Sequence, residues 1–193
     1  MLANPRRTYA AVLITAAFFS MALIVQALWI PLKAAVAQVL IARSWQQTLA
    51  GSQHAQPWPW ADTQSVGILQ VPHLGVEQYI LKGNSGRNLA FGPVMVDSTL
   101  AGNDRVISGH RDTHFGFLEK LQTGDKIRIE TATGTDEYFV INTDIVDSRE
   151  QTLVIEPLTH RLSLVTCYPF ESIMPGGPLR YVVTALPLAP SSG

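Results

Sequence analysis

The longest pattern in the chain is an apolar run near its N-terminus. Residues Tyr9–Ile30 contain no charged side chain. As a helix, at about 1.5 Å per residue, the run reaches roughly 33 Å, enough to cross the hydrocarbon core of a bilayer. The alternative is a signal peptide cleaved at an Ala-x-Ala-like site, Ala35–Ala37. The run is longer than the apolar region of a signal peptide, so the pattern favours an uncleaved, single-pass anchor.

The charges that flank the run predict its orientation. Arg6 and Arg7 precede it, whereas only Lys33 follows closely. Because positive residues stay on the cytoplasmic side of a membrane, the N-terminus is predicted to be cytoplasmic and the remainder exported. We therefore assign residues 1–32 to a cytoplasmic N-terminus and a transmembrane anchor.

A second helical pattern and a stiff linker follow the anchor. Lys33–Ala50 is rich in Ala, Leu, Gln and Val, and Gly51 suits the end of a helix. Alternating Pro and Trp in Gln56–Trp60 predict an extended connection. Residues 33–62 are accordingly assigned to a juxtamembrane helix and a linker, whose indoles lie at the membrane interface or cover the following domain.

From residue 63 onward the pattern changes to short alternating runs that are typical of β-strands. These runs are Val66–Val71, Val76–Leu81, Arg105–Ser108, Lys126–Thr131, Glu137–Ile145, Arg161–Thr166 and Leu179–Leu186. Short helical turns are predicted within Asn84–Gly92 and Phe115–Leu121. About seven or eight strands at this spacing favour an all-β sandwich or closed barrel over residues 63–187, because closure removes exposed strand edges. Residues 188–193, rich in Pro and Ser, are predicted to form a flexible tail.

The charge and the cysteine content limit which partners the protein is expected to bind and how its fold is stabilised. The formal net charge is −1 and the sequence pI is about 6.5, so no nucleic acid is expected to bind. The single cysteine, Cys167, excludes an internal disulfide. The fold therefore has to be held together by a hydrophobic core.

Three residues of reactive type are predicted to stand where strands meet loops. Cys167 and His110 each follow a predicted strand, and Arg180 opens the last one. The thiolate is the nucleophilic form of cysteine, and a nearby cation favours it. An arginine can stabilise the oxyanion that forms when sulfur attacks a carbonyl, and an imidazole can protonate the leaving amine. If the three side chains meet, the chemistry is acyl transfer through a thioester.

Each of these residues also has a simpler interpretation. A lone cysteine is most often a buried, inert thiol, and His110 and Arg180 are compatible with ordinary structural or surface roles. His110, His114 and Cys167 could suggest zinc, but structural zinc usually takes four Cys or His ligands in close pairs. The acidic residues between positions 144 and 156 could suggest calcium, although such a loop is usually only solvated. No metal site is predicted.

The motifs around these residues resemble those of sortases, which are membrane-anchored cysteine transpeptidases. The nucleophile motif T-L-x-T-C stands here as Ser163–Cys167, with Ser in its first position. The histidine motif G-H-R stands as Gly109–Arg111, and the arginine that follows the cysteine by about a dozen residues is Arg180. The segments PWPWAD, LAFGP, GHRDTHF, TCYPF and GGPLRYVV resemble one subtype in particular, the marine-proteobacterial sortases of Gram-negative bacteria.

The resemblance implies an all-β fold that closes into an eight-stranded barrel with short helices. It implies that Cys167 is the nucleophile, that His110 is the general acid and base, and that Arg180 contacts the substrate or the oxyanion. Thr166, which precedes the nucleophile in the motif, is expected to help bind the substrate. No cofactor is implied.

The resemblance also implies partners and a location. The substrate is expected to be an LPxTG-like sorting signal of a dedicated surface protein, cleaved after its Thr and transferred to an amine acceptor. The enzyme is expected in the inner membrane, with its catalytic domain on the periplasmic side. Two alternatives stay open: a non-catalytic, membrane-tethered β-barrel that binds a partner, and a cysteine peptidase that only hydrolyses its substrate.

Overall fold

The computed structural model divides the protein into two compact units, Met1–Val39 and Leu40–Gly193. The residues that it describes are 5–52, 54–83, 85–100, 102–152, 154–156, 159–172, 174 and 176–187. The predicted tail, residues 188–193, lies outside the described residues.

One long helix, α1, spans Pro5–Leu49. The two predicted helical stretches are therefore parts of a single continuous helix, which contains no glycine. Just beyond it the backbone of Gly51 has a φ of 89°, a left-handed conformation that suits glycine because it lacks a Cβ. By length and composition, Leu13–Leu49 is apolar enough to cross a membrane, and Phe18 is among its exposed apolar side chains.

In the described part of the second unit, eight strands form a closed barrel. They are β1 Ser65–Val71, β2 Val76–Lys82, β3 Val94–Met95, β4 Asp104–Ser108, β5 Lys126–Thr131, β6 Gly134–Asp147, β7 Arg161–Cys167 and β8 Leu179–Pro187. The order around the barrel is β1-β2-β3-β4-β7-β8-β6-β5, and the pairs β2–β3 and β4–β7 are parallel. Short 3₁₀ turns lie at Pro72–Leu74, Asn88–Ala90, Asp97–Thr99 and Gly116–Lys120. The predicted all-β, eight-stranded barrel is confirmed.

Side chains along each strand alternate between the barrel core and the outer surface. Leu162 and Leu164 of β7 are fully buried, as are Ile107 of β4 and Val183 of β8. Burying a side chain of this size contributes about 1.5–3 kcal/mol. Because successive side chains in a strand point to opposite faces, filling the core fixes which residues of β4, β7 and β8 face outward.

The end of α1 packs within the barrel unit. Ile41 and Trp45 are fully buried there. The Ser44 hydroxyl accepts the Ser65 N–H at 3.1 Å, and the Thr48 hydroxyl donates to the Ser65 carbonyl at 3.1 Å. The last turns of the helix are therefore tied to the first residue of β1.

The Pro/Trp linker also contributes to this packing. The ring of Trp58 packs edge-to-face on that of Phe91, with centroids 5.0 Å apart. Trp60, by contrast, is exposed. The indoles were predicted to lie at the membrane interface or to cover the domain. The indole of Trp58 covers the barrel.

Candidate active site

Three neighbouring strands bring the predicted reactive residues into one row. β7 and β8 are antiparallel, and Cys167 is the direct partner of Arg180. β4 and β7 are parallel, with Ser108 opposite Val165. His110 lies two residues beyond Ser108, as Cys167 lies two residues beyond Val165. Cys167 and Arg180 are thus direct neighbours on β7 and β8, and His110 lies just beyond the end of β4, on the other side of β7.

The strand alternation also places Cys167 and Arg180 on one face of the sheet. Val165, two residues from Cys167, lines a cavity on the outer face, and so does Ser108, two residues from His110. Arg180 lines the cavity itself. Since side chains repeat their direction every two residues, the thiol faces the same side as this cavity.

The cavity has a volume of about 480 Å³. Its floor consists of outward-facing residues of β4, β6, β7 and β8, and its wall includes residues of the loop between β6 and β7. The lining residues are Val96, Val106, Ser108, Asp144, Val146, Ser148, Gln151, Thr152, Ile155, Val165, Arg180, Val182 and Thr184. Apolar side chains prevail, and Asp144 and Arg180 are the charged members of this lining. Such a cavity suits an aliphatic side chain of an extended peptide.

The three reactive side chains differ in exposure and support. His110 is exposed, and Cys167 is half-buried with a free thiol. Arg180 is half-buried, and its Nη1 donates to the carbonyls of Gly177 at 2.7 Å and Leu179 at 2.9 Å. A partly exposed thiol next to a cationic side chain is typical of a reactive cysteine rather than an inert core cysteine.

The Phe115 ring packs so closely on Gly109 of the G-H-R motif that this position requires a glycine. A Cβ at this position would lie 2.6 Å from the ring of Phe115, which is fully buried. The carbonyl of His110 accepts the N–H groups of His114 at 3.1 Å and Phe115 at 2.8 Å. These contacts hold the turn that presents His110.

His114 lies on the same turn and is partly buried. The pKa of His114 is lowered from 6.5, chiefly because burial disfavours its charged form. A hydrogen bond with the backbone of Ala90 opposes this shift, and the positive charge of His110 adds to it. Burial therefore favours the uncharged form of His114.

Thr166 takes a different position from that expected of a substrate-binding side chain. It is 3% exposed, and its hydroxyl donates to the Gly109 carbonyl at 2.8 Å. Alternation along β7 points it away from the face that carries Cys167. The hydroxyl joins the nucleophile strand to the segment that carries His110, so the structure favours a positioning role for Thr166.

Arg111 is a functional candidate whose role the sequence motif alone did not reveal. Its guanidinium is buried and donates to backbone carbonyls of the loop after Cys167 and, through Nε, to the Asp112 carboxylate at 3.1 Å. The Asp112 carboxylate is thus engaged with Arg111. The described residues contain no group of three His, Cys, Asp or Glu placed to hold a metal ion.

The fold and this row of residues define a class of protein. Residues 69–188 match the family model described as the sortase domain, which covers more than half of the chain. The chain therefore belongs to the sortase family, whose members are cysteine transpeptidases.

Individual relatives agree with this assignment. The chain is 32% identical to sortase D of Bacillus subtilis over 124 residues, 62% of each chain. It is 30% identical to sortase A of Listeria monocytogenes over 108 residues, 53% of this chain and 49% of the relative. Sortase A from Corynebacterium diphtheriae has the same fold, with a TM-score of 0.58 and 22% identity, covering 69% of this chain and 65% of that one. The matches thus span about half to two thirds of the relatives' own lengths.

Proposed function

We propose that the protein is a membrane-anchored cysteine transpeptidase that cleaves an LPxTG-like sorting signal and transfers the acyl part to an amine. The observation that carries the proposal is the direct pairing of Cys167 with Arg180 across β7 and β8, next to β4, the strand that His110 follows. Arg180 lines a mainly apolar cavity on the face to which Cys167 belongs, as recognition of a peptide segment requires.

The first half of the proposed reaction releases the C-terminal part of the signal. The Cys167 sulfur, as a thiolate, attacks the Thr carbonyl carbon of the signal and forms a C–S bond. His110 holds the proton of the former thiol and passes it to the leaving nitrogen as the peptide C–N bond breaks. The product is a thioester on Cys167 and a free amine.

The second half resolves this thioester. An acceptor amine attacks the thioester carbonyl, the new C–N bond forms, and the C–S bond breaks. His110 takes the proton that the amine loses and returns it to the sulfur. Water in place of the amine would give hydrolysis, so access of the amine decides between transfer and proteolysis.

Arg180 is proposed to contact the oxyanion or a substrate carbonyl. The two described bonds that hold its guanidinium both use Nη1. A guanidinium has five N–H donors, so this arrangement orients the group and leaves Nη2 and Nε able to bind substrate. A fixed cationic donor beside the nucleophile stabilises charge that develops in the transition state.

The setting of the reaction is part of the proposal. Helix α1 supports a single-pass membrane anchor, and Arg6 and Arg7 support a cytoplasmic N-terminus. The barrel would then act on the periplasmic side of the inner membrane of a Gram-negative cell. The motifs quoted above support the marine-proteobacterial subtype, for which one dedicated surface protein is the expected substrate.

The experiment that tests this function uses the full chain in detergent and a peptide pool of the form LPxTG with x varied. Products are read by mass spectrometry with and without triglycine as acceptor. We expect cleavage after Thr, a triglycine adduct, and loss of both in Cys167→Ala with unchanged folding. Only water adducts at saturating triglycine would indicate a hydrolase. Uncleaved peptide that still binds in the micromolar range would favour a binding module.

A further inference from the structure

The buried guanidinium of Arg111 reaches the loop that follows Cys167. Its side chain is 3% exposed. Nη1 donates to the carbonyl of Pro169 at 2.7 Å, and Nη2 donates to those of Ser172 at 2.5 Å and Met174 at 2.9 Å. All three acceptors lie between β7 and β8, 58 to 63 positions further along the chain.

The number and direction of these bonds call for an arginine. Burying a charge is costly unless its donors are satisfied, and a guanidinium offers five N–H groups in a planar fork. Here the fork bonds three carbonyls at separate points of one loop. A lysine would bring a single nitrogen on a flexible stem, so it cannot hold the same three points together.

The loop held by Arg111 supports the other two members of the active-site row. It begins directly after Cys167, and the Tyr168 N–H donates to the Leu179 carbonyl at 3.1 Å. Near its other end, the Gly177 carbonyl holds Nη1 of Arg180. A shift of this loop would therefore move the flank of the thiol and an anchor of the guanidinium together.

We propose that Arg111 is a positioning residue that latches the β7–β8 loop to the segment carrying His110. Because Arg111 directly follows His110, the latch sets the placement of the imidazole relative to Cys167 and Arg180. The inference rests on the proposed function, since it concerns how that reaction is aligned. A misplacement of about 1 Å can cost roughly a hundredfold in rate. The cavity lining consists mainly of residues of β4, β6, β7 and β8, and it contains no residue of the β7–β8 loop.

The test compares the full chain in detergent with Arg111→Lys and Arg111→Ala, and with Arg128→Lys as a matched control. Arg128 pairs with Glu137 at 2.9 Å on the β5–β6 hairpin, outside the active-site row. With a fluorogenic LPETG peptide, we expect kcat of Arg111→Lys to fall roughly ten- to a hundredfold, with KM within threefold of wild type. Added guanidinium should restore at least a third of the lost kcat in Arg111→Ala but not in Arg111→Lys.

A second measurement does not depend on activity. Hydrogen exchange of the loop amides, such as those of Tyr168 and Ser172, should accelerate at least tenfold in Arg111→Lys and stay unchanged in Arg128→Lys. If the wild type cleaves no peptide, the proposed function fails, and this exchange result still decides whether the latch exists. Wild-type exchange and kinetics in Arg111→Lys would overturn the proposal. Global unfolding of both Arg111 variants would also overturn it, because Arg111 would then support the whole fold rather than one loop.

Discussion

Cys167 and Arg180 stand directly opposite each other in the β7–β8 ladder. Antiparallel partners have Cα atoms about 4.5–5.5 Å apart, and their side chains share a face of the sheet. Strand register therefore gives the thiol a cationic neighbour on the same face of the sheet.

Replacing Arg180 by Lys tests whether this neighbour takes part in the reaction. Lysine keeps the charge but loses the planar fork, and we expect kcat/KM for an LPxTG peptide to fall roughly 10²-fold. Arg128→Lys is a suitable control, because Arg128 pairs with Glu137 at 2.9 Å on the β5–β6 hairpin, away from Arg180. Steady-state kinetics on both variants decides the question. Full activity of Arg180→Lys would remove the guanidinium from the mechanism.

Thr166→Val tests the positioning role of the threonine before the nucleophile. Valine has a similar shape but leaves the Gly109 carbonyl without its donor, which should cost about 1–2 kcal/mol of stability and lower kcat more than it raises KM. Thr166→Ser keeps the hydroxyl and should stay close to wild type. If both variants raise KM and leave kcat unchanged, Thr166 binds substrate directly, as first expected from the motif.

The lowered pKa of His114 predicts a pH dependence of stability. As pH falls below about 6.5, the unfolded chain protonates this imidazole, whereas burial opposes protonation in the folded chain. Its contribution to stability is therefore present above about pH 6.5 and is lost as pH falls toward the lowered pKa. Thermal unfolding at pH 7.5 and 5.5 should show a smaller drop for His114→Asn than for wild type. The exposed His54→Asn variant should match the wild-type drop.

Trp45 and Trp60 form a matched pair for testing the docking of the α1 end. Trp45 is 1% exposed, whereas Trp60 is 83% exposed. Removing a fully buried tryptophan side chain costs about 3–5 kcal/mol, so Trp45→Ala should lower the denaturation midpoint strongly, and Trp60→Ala should leave it unchanged. Equal midpoints would show that the helix end does not stabilise the barrel.

The fold was largely predictable because period-two alternation is a local signal. The strands that carry Cys167 and Arg180, and the strand that His110 follows, are each visible from their own residues. β3 was not predicted, because Val94–Met95 is too short to show a period. The joining of the two helical stretches was also missed, because Pro31 stands between them and a proline usually interrupts a helix.

The positions of the site residues depended on register, which sequence patterns do not contain. The motif singled out Thr166 but not the face on which its side chain lies. Arg111 is likewise part of a motif, G-H-R, but the groups that its guanidinium binds are backbone carbonyls 58 to 63 positions away. Backbone acceptors carry no signature in residue type, so this contact required coordinates.

The most direct test of the central claim is capture of the covalent intermediate. The full chain is mixed with an LPxTG peptide in the absence of amine, quenched in acid within the first turnovers, digested and mapped by mass spectrometry. We expect the acyl fragment ending in Thr on the peptide that contains Cys167, removable by hydroxylamine and absent from Cys167→Ala. Cleavage of the peptide without any adduct at Cys167, or cleavage by Cys167→Ala, would contradict acyl transfer through this thiol.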